Sequence, residues 1–235
     1  MHLQQFPLLR CYIVILILAD VSQVWYADDA SAAGKILSLR SWWSQLASLG
    51  PKYGYFANAA KTWLVTKGKH LEAATAAFAD TGVKVTSEGR PYLGAAIGTR
   101  EFVISHVKNK VENWTKELEC LATIAVTQPH AAHAAFTHGL SSKWSYLTRT
   151  VHGIGPLLQP LESVIRLKLI PVLTGQPPPN DAVRRLLALP ARLGGIALSN
   201  PTTDADVDFL SSTNIRSSKK CHSPTKSRVP CRSNH

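Results

Sequence analysis

The pattern of apolar and polar positions divides the chain into two regions of different periodicity. Short β-branched or aromatic runs at residues 12–18 and 22–27 read as strands, with Ala-Asp-Val-Ser between them as a turn. From Ala32 to Leu49 the period lengthens: Ile36, Leu39, Trp43 and Leu46 share one stripe flanked by Trp42 and Leu49, which predicts an amphipathic helix stopped by Gly50-Pro51. Residues 62–66 read as a strand and 70–78 as a short alanine-rich helix. Residues 83–86 and 91–98 read as two strands of a hairpin, turned through Ser-Glu-Gly-Arg. The order β–β–α–β–α–β–β predicts an α+β layer, a mostly antiparallel sheet with helices packed on one face.

Beyond Gly98 the pattern is helical. Ile104, Val107, Val111, Trp114, Leu118, Leu121 and Ala125 form one seam with alternating spacings of three and four. No charge code flanks the seam, so it predicts packing within the domain rather than a zipper to a partner. Further helical stretches follow Pro129, Gly155 and Asp181, punctuated by prolines and by the rigid Gln176–Asn180 linker. From Ser211 onward no apolar period remains. The expected organisation is a lead-in at 1–19, an α+β region at 20–98, a helical region at 99–200 and a disordered basic tail at 201–235.

Composition changes this picture only modestly. The 235 residues are 45% hydrophobic and 17% charged, enough to bury a core. The net charge is +11, an excess that favours polyanions such as nucleic acid; six of those positive charges lie after Ser211, where there is no acid. Cys11, Cys120, Cys221 and Cys231 form neither a Cys-x-x-Cys pair nor a disulfide framework, which points to a reducing, intracellular setting, cytoplasmic or nuclear. The apolar run Cys11–Ala19 is too short to span a bilayer and has no small-residue cleavage site directly after it. It reads as a buried strand, with neither membrane insertion nor secretion expected.

The chemistry concentrates at Tyr26-Ala27-Asp28-Asp29. Adjacent carboxylates repel, and a fold keeps such a pair either solvated at a turn or gripping a divalent cation. A carboxylate at a strand tip suits Mg²⁺ or Mn²⁺, and two-metal phosphoryl transfer needs carboxylates from at least two chain segments. The tetrapeptide resembles the Tyr-x-Asp-Asp signature of reverse transcriptases, found at the tip of a hairpin in the polymerase palm. Three features follow in the family's order: the helix after the signature, Asn58-x-x-Lys61-Thr62, and Arg90–Gly98, which resembles the Leu-Gly hairpin at the primer end. The run Ala188–Pro201 is also similar to the end of retrotransposon polymerase proteins.

The resemblance implies a C-terminal palm-and-thumb fragment of an RNA-directed DNA polymerase: a truncated antiparallel palm sheet, then an all-α thumb-like subdomain. It implies that Asp28 and Asp29 hold the metal, that Lys61 is a catalytic lysine near the incoming triphosphate, and that Tyr26, Leu93 and Gly94 contact nucleic acid. The implied partners are an RNA template and a DNA primer. Lys219 and Lys220 add basic-tail contacts to phosphates.

The family's further catalytic Asp lies on a strand well upstream, and 27 residues before Asp28 are too few to supply it. Asp20 lies along the same strand or at the far end of a hairpin, so neither placement brings it to the pair. The expectation is therefore that this chain does not polymerise alone. A non-catalytic nucleic-acid-binding module using the helical region and tail is the other reading. His130, His133 and His138 lack the acid or thiol that would complete a metal shell, and most tryptophans lie on apolar stripes and are expected in the core.

Overall fold

The computed structural model describes residues 21–26 and 29–220. The expected strand at 12–18, Asp20, Ala27, Asp28 and the tail beyond Lys220 lie outside the described residues. The chain is mixed α+β and mostly helical, and it divides into two compact units. The first comprises residues up to Arg90 together with Ile97–Phe102; the second comprises Pro91–Ala96 and residues from Val103 onward. The division falls inside a hairpin and the first turn of a long helix.

In the first unit, β1 (Ser22–Tyr26) pairs antiparallel with β2 (Asp29–Ala33), the Tyr26–Asp29 pair closing the register. The helix was expected to start at Ala32, with residues 29–31 leading into it. Residues 29–33 form a strand instead, and α1 runs from Ile36 to Leu49. The small side chains of Ala30 and Ala32 let this strand lie against the core, beside the packed stripe of α1. Trp42, Trp43 and Leu46 of α1 bury with Val83 and with Phe78 of α2 (Leu71–Phe78). Gln23 is buried beneath the hairpin. Its Oε1 accepts from the indole N–H groups of Trp25 at 3.1 Å and Trp42 at 3.3 Å, which leaves its Nε2 a buried donor with no partner among the described residues.

The expected single antiparallel sheet is not formed. Among the described residues there are three separate two-stranded sheets. β3 (Trp63–Val65) and β4 (Lys84–Thr86) pair in parallel, connected through α2. This pairing displaces the expected hairpin of 83–86 with 91–98, because Val83, Val85 and Leu64 all reach the same core. β5 (Gly89–Tyr92) instead turns directly into β6 (Ala95–Gly98). Gly89 permits this geometry: at φ +154°, a Cβ there would sit 2.6 Å from both the Ile97 carbonyl oxygen and the Phe102 ring.

The second unit is helical. α3 (Arg100–Ala125) buries Val107, Val111, Trp114, Leu118 and Ala125 along the expected seam, with Ala122 added one turn beyond Leu118. α4 (Pro129–Ala135) continues through a π turn, Phe136–Leu140, into α5 (Ser141–Thr150). α6 (Gln159–Val164) likewise runs through a π turn, Ile165–Leu169, into α7 (Ile170–Thr174), and α8 spans Asp181–Ala188. Phe136, Trp144, Leu158, Leu161, Ile165 and Leu169 complete the core. The His133 Nε2–H donates to the Ile196 carbonyl at 2.7 Å, a structural role; His130 and His138 are exposed.

Residues 201–220 correct the expectation of a disordered tail. They form α9 (Pro201–Lys220). Asn200 caps it, its Oδ1 accepting from the Thr202 amide at 3.0 Å, and Pro201 opens it with no amide to orphan. Ala205 is buried, Asp208 accepts from the Thr148 hydroxyl at 2.7 Å, and Phe209 lies 4.9 Å from the His152 ring. This narrow stripe of one methyl, one acid and one ring is too polar to read as an apolar period.

One buried ion pair ties the unit together. Arg184 of α8 donates from Nε and Nη2 to the two carboxylate oxygens of Glu162 on α6, both at 2.7 Å, and also to the carbonyls of Leu198 at 2.7 Å and Ser199 at 3.0 Å. The side chains are 3% and 7% exposed, so neither charge is hydrated. Glu162→Ala is expected to destabilise the protein by about 3–5 kcal/mol, read as a fall in urea midpoint, because it strands a buried guanidinium. The paired replacement Glu162→Leu with Arg184→Met is expected to cost less than Glu162→Ala alone.

Asp204, in the first turn of α9, has its carboxyl pKa raised by burial, with the Asp208 charge adding to the effect; hydrogen bonding from Thr203 and the Arg184 charge oppose it. A raised folded-state pKa means the folded chain binds the proton more tightly than the unfolded one. Stability therefore falls as pH rises through that pKa. Asp204→Asn is expected to raise the urea midpoint at neutral pH, with the gain vanishing as pH falls below the carboxyl's pKa.

Candidate nucleic-acid interface

Strand alternation decides what the first hairpin presents. Gln23 and Trp25 face the core with Ala30 and Ala32. Val24 and Tyr26 face outward, Tyr26 at 66% exposure, across from Ser31 and Asp29. Tyr26 and Asp29 thus stand directly opposite each other at the end of the hairpin, on its outer face, with Ala27 and Asp28 joining them in sequence. Inside, Trp25 meets the Tyr55 ring edge-on at 5.2 Å, which anchors the strand end.

The metal reading needs several donors on one ion. Asp29 is exposed, and among the described residues no three His, Cys, Asp or Glu side chains gather. The described donors therefore do not complete a two-metal set on their own.

The Asn58-x-x-Lys61-Thr62 segment has a local physical explanation for two of its three side chains. Asn58 caps a single 3₁₀ turn, its Oδ1 accepting from the Lys61 amide at 3.3 Å, and the Thr62 hydroxyl donates to the Asn58 carbonyl at 2.8 Å. Lys61 itself is exposed at the entrance to β3 and forms no ion pair with Asp29. Cap and hydroxyl fix where the lysine leaves the backbone, and among the described residues its ammonium forms no ion pair.

Two further cations converge on β3. The parallel register sets Lys84 beside Trp63, and the Lys84 Nζ lies 5.3 Å from the Trp63 ring centroid. The Arg90 guanidinium carbon lies 3.7 Å from the same ring. Sequence reasoning missed this stack, since 27 residues separate Trp63 from Arg90 and no spacing rule joins them.

Leu93 and Gly94 are the two central residues of the β5–β6 turn, at φ 46° and 85°. Positive φ at both positions is the type I′ geometry that matches strand twist, and it favours Asn-Gly over Leu-Gly. Leu93 pays the left-handed cost of about 1–2 kcal/mol while remaining 39% exposed. Gly94 lies against Tyr146 of α5: a Cβ there would meet the ring at 3.4 Å. Lys219 and Lys220 are the last two residues of α9.

Comparison of the chain with family models, curated proteins and solved structures returned no match. Among the described residues no helix is long and apolar enough to cross a membrane.

Leu93→Asn is expected to stabilise the protein by about 0.5–1 kcal/mol, since it suits the turn and forfeits little burial. Thermal unfolding of the two chains side by side checks this, and a lower melting temperature for the variant would show that Leu93 packs more than its exposure indicates.

Proposed function

We propose that this chain is a palm-and-thumb fragment of a retroelement reverse transcriptase that binds nucleic acid and does not polymerise by itself. The observation that carries the reading is the position of Tyr26 and Asp29 as the closing pair of a hairpin whose two joining residues complete Tyr-x-Asp-Asp. The other two motifs fall at turns in the order the resemblance requires: Lys61 on its capped 3₁₀ turn, and Leu93-Gly94 at a hairpin tip. An α+β unit preceding a helical unit agrees with a palm followed by a thumb.

In this reading Asp28 and Asp29 are the carboxylates for Mg²⁺ or Mn²⁺, which in a complete site would offset charge on the transferring phosphate. The chain's own residues do the rest. Tyr26 forms a flat floor beside the carboxylates, Lys61 offers an ammonium to the triphosphate, and the Leu93-Gly94 turn meets the primer end. The tail lysines, Lys219 and Lys220, add affinity for phosphates without sequence preference. Among the described residues no second carboxylate segment gathers beside Asp29, and the reading therefore puts binding, not polymerisation, to the test.

The test is primer extension on an RNA template with Mg²⁺ or Mn²⁺, alongside filter retention of the same primer–template. Retention that weakens steeply with salt, without nucleotide incorporation, is the expected result. Incorporation abolished by Asp28→Ala would keep the family reading and overturn the incompleteness. A folded chain that fails to retain primer–template at low salt would overturn the reading itself.

A further inference from the structure

We infer that the Trp63–Lys84–Arg90 stack is a preorganised phosphate-binding site for single-stranded nucleic acid. The inference rests on the polymerase-fragment reading for the class of anion; the stack itself gives the place.

Arginine carries five N–H donors in one plane and cannot shed its charge. A guanidinium lying 3.7 Å from an indole satisfies its face by stacking, while its N–H edges still need acceptors. Among the described residues Arg90 makes no ion pair, and neither does Lys84. The acids nearby are committed elsewhere or do not reach: Asp80 is held by Arg40 at 2.7 Å, and Glu88 pairs with neither cation.

The local sequence deepens the imbalance. From Pro51 to Leu71 there are four lysines and no acid, and one of them, Lys61, stands exposed two residues before Trp63. The close approach at Gly89 fixes the backbone beside Arg90 and the parallel register fixes that of Lys84, while contact with the Trp63 ring places the two cationic heads. Holding a planar donor fork on an aromatic ring lowers the entropy lost on binding. Cations stacked on aromatics are a recurring way to grip single strands without reading sequence.

The experiment measures fluorescence anisotropy of labelled oligothymidylate and oligouridylate with the full chain across a range of salt. Arg90→Gln, Lys84→Gln and Arg90→Lys are compared with the unaltered protein, each checked by circular dichroism. Each glutamine substitution is expected to weaken binding about tenfold. Each should also reduce the slope of log affinity against log salt by about 0.7, the value for one phosphate contact on a single strand. Arg90→Lys should keep the slope and lose affinity, because the charge remains and the fork does not.

Lys84 is exposed, so Lys84→Gln carries the test even if an Arg90 variant fails to fold. Unchanged affinity and slope in folded glutamine variants would overturn the inference and leave the cations as packing on Trp63. So would failure of the unaltered chain to bind either single strand. If primer–template is still retained in that case, only this inference falls; if it is not, the polymerase-fragment reading falls with it.

Discussion

The guanidinium of Arg184 cannot be neutralised, so burying it obliges the fold to surround it with acceptors. Two carboxylate oxygens of Glu162 and the carbonyls of Leu198 and Ser199 meet that demand. The result ties α6, α8 and the chain leading into α9 to one point. That segment turns sharply, with Ala197 at φ 56°, and delivers Asn200 and Pro201 to start a helix that polar composition alone would not maintain. Such a pair adds little net stability compared with apolar packing, but it is costly to satisfy in any other arrangement.

The first unit is organised by a different constraint. Three tryptophans, Trp25, Trp42 and Trp43, need apolar surroundings while their indole N–H groups still need acceptors. Gln23 supplies one amide oxygen to two of them. That arrangement sets which face of β1 turns inward and hence sends Tyr26 outward, opposite Asp29. The orientation of the carboxylate end thus follows from a core hydrogen bond three residues away.

The same unit concentrates positive charge around one aromatic ring. Asn58 and Thr62 hydrogen-bond to the local backbone, and Lys61 forms no ion pair among the described residues. Arg90 and Lys84 lie against Trp63 with no carboxylate partner among the described residues. Unpaired cations held on a fixed scaffold cost stability by repulsion, and that cost is consistent with a surface that meets an anion.

The sequence by itself determined α1 and α3, because their period is local. The stripe of α1 and the seam of α3 were legible from spacing alone, with only Ala122 unforeseen, and so were the turn stops at Gly50-Pro51 and the strands at 22–26 and 63–65. Tyr26 through Asp29 was legible as a motif, whereas the apolar pattern read Leu93 and Gly94 inside a strand and only the resemblance gave them a hairpin. Strand pairing was not legible, since β3 chose β4 in parallel only because Leu64, Val83 and Val85 share a core that no local pattern reveals. Helix α9 has a local cap in Asn200, but its contacts with Thr148 and His152 are supplied from elsewhere in the chain. The Arg184–Glu162 pair and the stack on Trp63 join residues 22 and 27 positions apart. Only tertiary structure decided these, because charge and aromatic partners are chosen by proximity in space, and the sequence encodes that proximity through the whole core.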